Sequence, residues 1–246
     1  MHKVSIVLPT YNEKDNILDL IRAIQIKVNR EVEIIVVDDD SPDKTWQLVE
    51  HLENDNIKLL RRKNQRCLTT AISDGISMAN EDVVVWMDTD LSMPPEKIND
   101  LLMKIDEGYD IAVGSRYIPG GGTVIIEKSQ DSMLSAVLSF VMNFFIQRLL
   151  DPSFKDYTSG FIAVRKEVFG NIELRGDYGE YFIDFIYRAI KKGFKVVEIP
   201  YILQARKYGE SKTGTNFFHY CKRGIKYLLT TLRLRFTIIK KNIRNN

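Results

Sequence analysis

The sequence predicts an α/β fold: a Rossmann-like, mostly parallel β-sheet with helices on both faces, followed by a C-terminal amphipathic helical extension. Three observations lead there. Val- and Ile-rich runs alternate with segments of helical periodicity through the first half of the chain. The runs are nearly continuous in apolar residues, the pattern of parallel strands buried on both faces. The acidic and basic clusters follow the ends of those runs, and in open parallel sheets ligands bind beyond the carboxyl ends of the strands.

The elements follow in order. "KVSIVLP" (3–9) reads as a buried strand and "DNILDLIRAIQIKV" as a helix with apolar residues at helical spacing. "EVEIIVVDDD" is the second strand. "SPDKTWQLVEHLEN" is a helix with Ser41 as N-cap and Pro42 at its first position. "IKLLRR" is a short strand and "TTAISDGISMAN" a helix with Gly75 inside it. "DVVVWMD", "PEKINDLLMKIDEG" and "YDIAVGSR" continue as strand, helix, strand. After "PGGG" (119–122), Met133 to Leu150 is apolar on nearly all sides. It reads by default as a core helix, or alternatively as one lying in a membrane interface. "YTSGFIAVRKEVFG" is turn, strand and helix start, "EYFIDFIYRAIKKG" an amphipathic helix, and "FKVVEIPYILQAR" extended. Residues 1–212 are expected to form one domain and 213–246 a basic amphipathic extension.

Composition narrows the function classes. A net charge of +2 gives no bulk electrostatic case for nucleic acid. Cys67 and Cys221, the two cysteines, fit neither a disulfide framework nor a zinc site, which points to a reducing compartment. The first residues lack a signal-peptide layout, and no window of about 18 uninterrupted apolar residues reads as a spanning helix.

The chemistry concentrates at the strand ends. In "MDTD", Asp88 and Asp90 alternate, so both carboxylates can converge on one side. Two close carboxylates repel, and a divalent cation such as Mg²⁺ or Mn²⁺ removes the conflict with oxygen ligands. The alternative is a solvated loop with helix-capping acids. Asp38, Asp39 and Asp40 end the second strand, either as acceptors for a nucleobase or ribose or as caps of the next helix. In "LPTYNEK", Pro9 sets a turn, Tyr11 offers a stacking face and Glu13 an acceptor. Arg116 ends the fifth strand, and Arg206, Lys207 and Lys212 surround a glycine in "QARKYGESK". Arginine forks match phosphate and lysine adds a point charge, although surface charge clusters are also often only solvated.

The segments "LPTYNE", "VVDDDSPD", "MDTDLSMPPE", "VGSRYIPGG", "YTSGFIAVRKEVF" and "YGESK" occur in the order seen in family 2 glycosyltransferases of the GT-A fold. More narrowly, the chain resembles the dolichyl-phosphate (polyprenyl-phosphate) mannose and glucose synthases. The resemblance implies a nucleotide pocket lined by Pro9, Tyr11, Glu13, Asp39 and Asp88, and a metal, Mg²⁺ or Mn²⁺, held by Asp88 and Asp90 on the donor diphosphate. It implies that Arg116, Arg206 and Lys212 face the donor or acceptor phosphates, and that Ser159 to Phe161 help shape the sugar and acceptor site. Departures from the family pattern are Ser92 where glutamine is frequent, "CLTTA" (67–71) for a glycine-rich stretch, Asp40 for glycine, and no arginine between Lys128 and Ser135.

The expected reaction is inverting transfer of a hexose to a polyprenyl (dolichyl) phosphate at the cytoplasmic face of a membrane. The donor is GDP-mannose first and UDP-glucose second. A phosphate acceptor is already anionic, whereas a sugar hydroxyl needs a general base, for which Glu180 and Asp184, i,i+4 on one helical face, are the candidates, an exposed polar face being the alternative. The catalytic set is then Asp90, Arg116, Arg206, Lys212 and Asp184. Arg233, Arg235, Lys240 and Lys241 interrupt the apolar face of the tail, as on a helix lying on an anionic membrane surface; packing on the domain is the alternative. A separate membrane subunit is a further expected partner. Rival readings are transfer to a glycan hydroxyl, a non-catalytic nucleotide-binding subunit of a membrane complex, and a nucleotidyltransferase.

Overall fold

The structure is a computed structural model that describes residues 2–124, 130–208 and 217–244. The first half alternates as the apolar runs predict: β1 (Val4–Thr10), α1 (Ile17–Lys27), β2 (Val32–Asp38), α2 (Thr45–Glu50), β3 (Ile57–Arg61), α3 (Leu68–Met78), β4 (Val83–Trp86), α4 (Lys97–Asp106) and β5 (Ile111–Ser115). The second half adds β6 (Gly122–Thr123), α5 (Gln130–Leu149), β7 (Ile162–Arg165) with a 3-10 turn after it, α6 (Glu180–Lys192), β8 (Val196–Pro200), β9 (Ile202–Leu203) and α7 (Phe217–Arg244).

Seven strands form one sheet in the order β3-β2-β1-β4-β7-β5-β8, and β6 pairs with β9 in a small second sheet. Every pairing in the large sheet is parallel except those of β7, which runs antiparallel between β4 and β5. The carboxyl ends of β1, β2, β4, β5 and β8 therefore share one rim, as the charge clusters require.

Alternation along each strand splits the core into two layers. Val7, Ile35, Val37 and Trp86 face α3, α5, α6 and α7. Ile6, Leu8, Ile34, Val36 and Val85 face α1, α2 and α4. Helix α1 buries Ile17, Leu20, Ile21 and Ile24, and α4 buries Ile98, Leu101, Leu102 and Ile105; both sets follow the i, i+3, i+4, i+7 stripe. Across the other layer, the Trp86 indole N–H donates to the Tyr181 hydroxyl at 2.9 Å and joins the end of β4 to α6.

Several expectations need correction. Pro9 does not make a turn: it lies in β1, opposite Val37 and past the last β1–β4 pair, where no neighbour on that side requires its missing N–H. Ser41 is not an N-cap, because α2 begins only at Thr45 after two left-handed residues, Asp40 (φ 53°) and Lys44 (φ 64°). Asp43 supplies the local bond instead, accepting from the Thr45 amide at 2.9 Å. The segment at 133–150 is neither wholly core nor wholly surface. Asn143, Ile146 and Leu150 are buried, while Phe140, Phe144 and Phe145 are exposed. Helix α7 packs against α5 and α6 and buries Thr231 and Leu234, so the tail does lean on the sheet domain. Among the described residues no helix is long and apolar enough to cross a membrane. Lys212 and the side chains of Lys240 and Lys241 lie outside the described residues.

Gly75 explains how closely α3 approaches the sheet. A Cβ at that position would sit 2.4 Å from Val7 Cγ1 and 3.1 Å from Val37 Cγ2. Alanine gains helix propensity there but overpacks two fully buried valines. Gly75→Ala is expected to lose about 1–3 kcal/mol in urea unfolding; a neutral or stabilised variant would show that the sheet can yield.

Candidate active site

Local hydrogen bonds draw three strand ends into one cleft rim. Thr10 Oγ1 donates to Asp38 Oδ2 at 2.9 Å, and Asp38 also accepts from the amide and hydroxyl of Ser41 at 2.8 and 2.7 Å. Buried Asp38 is thus spent on holding the β2 loop. Ser41 in turn accepts from the Asn12 amide at 3.0 Å, and Thr45 Oγ1 accepts from the Glu13 amide at 2.9 Å. Thr89 Oγ1 donates to the Pro9 carbonyl at 3.0 Å and fixes the β4 loop to β1. Left-handed Asn12, Asp40 and Leu91 turn each chain back after its strand.

The acidic centre lies at this rim. Asp90 is 7% exposed. Its Oδ1 accepts from the Ser92 amide at 2.9 Å and from the Ser92 hydroxyl, and its Oδ2 pairs with Arg206 at 2.9 Å. Ser92, a departure from the family pattern, therefore orients the carboxylate beside it. Arg206 also reaches Glu13 Oε1 at 3.2 Å, and Glu13 Oε2 accepts from Asn16 at 2.7 Å. Arg206 is brought there because its segment docks on the β4 loop: the Gln204 amide donates to the Ser92 carbonyl and the Lys207 amide to the Asp90 carbonyl.

Asp88 is open to solvent yet surrounded by protein, the situation of a group on a cleft floor. Its carboxyl is pushed up to about 7, first by burial and then by the Asp90 charge; Arg206 and Arg116 act in the opposite direction. A divalent cation would relieve this conflict. Among the described residues no cluster of three or more His, Cys, Asp or Glu side chains could hold a metal. Asp88 and Asp90 are what the protein offers, and Mg²⁺ or Mn²⁺, which keep positions for water and phosphate oxygens, fit such a sparse all-oxygen set.

The remaining expected residues divide. Arg116 stands near Asp88, but its guanidinium is clamped by fully buried Asp156, Nε to Oδ2 and Nη2 to Oδ1 at 2.8 Å each, with Thr158 beside it. It is a fixed positive wall of the cleft rather than a mobile phosphate ligand. Ser159, behind it, accepts from the Phe161 amide at 3.2 Å. Asp184 is 2% exposed, and guanidinium groups take both of its oxygens: Arg188 Nε donates to Oδ2 at 2.7 Å and Arg233 to Oδ1 at 3.2 Å. Those contacts fasten α7 to α6 and leave no accessible carboxylate for a proton. Glu180 is also buried and accepts from the Asp177 amide at 3.1 Å, so neither residue lies on an exposed polar face.

Beyond β1 and β2 lies a second, more aromatic part. Asp39 Oδ1 accepts from Arg62 Nε at 2.7 Å and Oδ2 from the Cys67 amide at 3.0 Å. Arg62 is buried and also donates to Thr70, Asp74 and the Cys67 carbonyl. Tyr11 is half-buried, with the Arg66 guanidinium 3.8 Å above its ring centre.

With this geometry in view, the similarities to known proteins are specific. The Glycosyl transferase family 2 profile matches residues 5–172, which hold β1 to β7 and both aspartates. The chain belongs to glycosyltransferase family 2. It is 38% identical over 223 residues to a dolichol-phosphate mannosyltransferase of Pyrococcus furiosus, covering 89% of this chain and 62% of that one, so it spans less than two thirds of that relative. It is 38% identical over 221 residues to a polyprenol monophosphomannose synthase of Mycolicibacterium smegmatis, covering 86% of this chain and 81% of that one. Among solved structures, glucosyl-3-phosphoglycerate synthase from Mycobacterium tuberculosis, in complex with Mn²⁺, UDP and phosphoglyceric acid, aligns with a TM-score of 0.72 at 16% identity, covering 95% of this chain and 78% of that one. The same enzyme with Mg²⁺ and UDP aligns at 0.70 and 15% identity, covering 95% and 79%. These structures share the GT-A α/β fold.

Three residues of this glycosyltransferase escaped the sequence reading: Arg62, Arg66 and Asp156. Arg62 and Arg66 carry the signal that picked out Arg116, a guanidinium at the end of a strand, in "RRKNQR". Asp156 has no such signal, because its partner lies 40 residues away.

The Asp88 shift has a sign that can be tested. The unfolded carboxyl titrates near 3.8 and the metal-free folded one near 7, so between those values the folded state binds more protons. Stability contributed by this group is present at acidic pH and is lost as pH rises through 7. In EDTA, Asp88→Asn is expected to be more stable than the parent in urea at pH 8, with the gain shrinking towards pH 4. Equal stabilities across that range would mean that ionising Asp88 carries no penalty.

Proposed function

We propose that this glycosyltransferase transfers a hexose, mannose before glucose, from a nucleotide sugar to a polyprenyl phosphate, with inversion. The observation that carries the reading is the pair Asp88 and Asp90 at the end of β4, faced by Arg206 and Arg116. That arrangement suits a diphosphate bridged through a divalent cation. The two relatives named for mannosyl transfer to dolichol phosphate and polyprenol supply the acceptor class and the first choice of sugar.

Asp88 and Asp90 would hold the cation, which when bound neutralises charge developing on the leaving diphosphate. Ser92 keeps the Asp90 carboxylate turned towards the cleft, and Glu13 holds the other arm of Arg206. The attacking group is an acceptor phosphate oxygen, anionic at neutral pH, so its chief need is placement next to the anomeric carbon by Arg206 and Lys212, with Arg116 as a fixed positive charge behind them. No proton has to be removed from it. The engagement of Asp184 with two arginines agrees with a reaction that uses no carboxylate base.

The acceptor's lipid nature accounts for another feature. Phe140, Phe144 and Phe145 on α5 and Leu228, Leu229 and Phe236 on α7 are exposed, on two helices that pack together. Arg148 and Arg235 are exposed on the same helices. Aromatic and aliphatic side chains with arginines between them suit the headgroup boundary of an anionic membrane, and they support a peripheral association, on the cytoplasmic face in this reading.

Incubation with radiolabelled GDP-mannose, Mn²⁺ and a polyprenyl phosphate is expected to give organic-extractable label and free GDP, and Asp90→Ala is expected to abolish it. Label on an oligosaccharide acceptor instead, or release of pyrophosphate, would replace this reading. The chain is also expected to sediment with phosphatidylserine-containing vesicles, and Phe144→Asp with Leu228→Asp to weaken this several-fold. Unchanged sedimentation of that double variant would leave the apolar surface to another partner, such as a membrane subunit.

A further inference from the structure

We propose that Arg66 selects the nucleobase, favouring guanine, by guarding the Tyr11 ring in the empty site and reading the acceptor edge of the base once it is bound. This rests on the nucleotide-sugar reading above and deepens it.

Three arginines stand at or just beyond the carboxyl end of β3, and two are already committed. Arg61 lies 3.5 Å over the Trp46 ring and donates to Asp40 at 2.6 Å. Arg62 is buried and spends its donors on Asp39, Thr70, Asp74 and the Cys67 carbonyl. Arg66 differs. It is exposed, and among the described residues its contact is the stacking of its guanidinium on Tyr11 at 3.8 Å. All five of its N–H donors therefore remain for a ligand. An exposed cation–π contact is weak, so a base can take the ring face while the arginine swings aside on its side chain.

The surroundings define which base suits. Tyr11 directly follows Thr10, whose carbonyl accepts from the Asp39 amide at 3.1 Å. Asp39 also accepts from the amide of Cys67, the residue next to Arg66. A base lying on Tyr11 would thus have both the Asp39 carboxylate and the Arg66 guanidinium as neighbours. Arg62 Nε and Nη2 both take Asp39 Oδ1, whereas Oδ2 accepts from the Cys67 amide and has a lone pair left for a second donor. Guanine has N–H donors on its Watson–Crick edge and the acceptors O6 and N7 on the other. A carboxylate matches the first edge, and a guanidinium fork pairs with the second bidentately. Uracil offers the fork a single carbonyl, so it gains less from Arg66. Arg62 serves by fixing Asp39 to the start of α3, which holds the carboxylate beside the segment that carries Arg66.

The test is titration calorimetry of the full chain with GDP and with UDP in Mn²⁺, comparing the parent with Arg66→Ala and Arg66→Lys. The parent is expected to prefer GDP. Arg66→Ala is expected to weaken GDP about tenfold or more and UDP by less than about threefold, given the discrimination of a bidentate arginine–guanine pair. Arg66→Lys is expected not to restore GDP affinity, because an ammonium cannot offer two parallel donors. Thermal melts of both variants should match the parent, since Arg66 is exposed. A parent that prefers UDP, or an Arg66→Ala variant that changes both nucleotides equally or neither, overturns the role of Arg66 and leaves the nucleotide-sugar reading standing. A parent that binds neither nucleotide overturns both.

Discussion

The molecule is organised around a charge conflict at the end of β4. Two carboxylates are delivered to one rim by a strand whose own residues, Val83 to Trp86, are fully buried and have no freedom to slide. Burial and proximity to Asp90 push Asp88 up to about 7, so in isolation the arrangement stores electrostatic strain. Either a proton on Asp88 or a cation between the two carboxylates removes the conflict.

The protein manages its other charges in the opposite way. Asp39, Asp156 and Asp184 are each buried and each paired with a guanidinium. Buried charges left unpaired are costly, whereas paired ones hold a geometry. Arg116 is held as part of the wall by Asp156, and α7 is held against α6 through Asp184 and Arg233. Asp88, by contrast, lies open to solvent on the cleft floor.

Arg206 stands between these two regimes. It bridges Glu13 and Asp90 from a segment tied to the β4 loop by two backbone bonds and to α1 by the Lys207–Asp19 pair. In the ligand-free protein it partly offsets the acidic centre.

Strand and helix order, the parallel sheet and the acidic rim were readable in the sequence, because each depends on local periodicity or on which residues immediately follow an apolar run. Asp88 and Asp90 were legible for that reason, as were the family motifs. The antiparallel insertion of β7 between β4 and β5, the spending of Arg116 on Asp156, and the pairing of Asp184 with Arg233 were not. Each joins residues 40 or more positions apart, and no local pattern records a partner. The late start of α2 also escaped, since two left-handed residues, and not capping preference, decide it. By itself the sequence determined which chemical groups reach the rim; tertiary packing decided which of them are consumed by ion pairs and which remain for a ligand, because burial makes pairing obligatory wherever two opposite charges meet inside the fold.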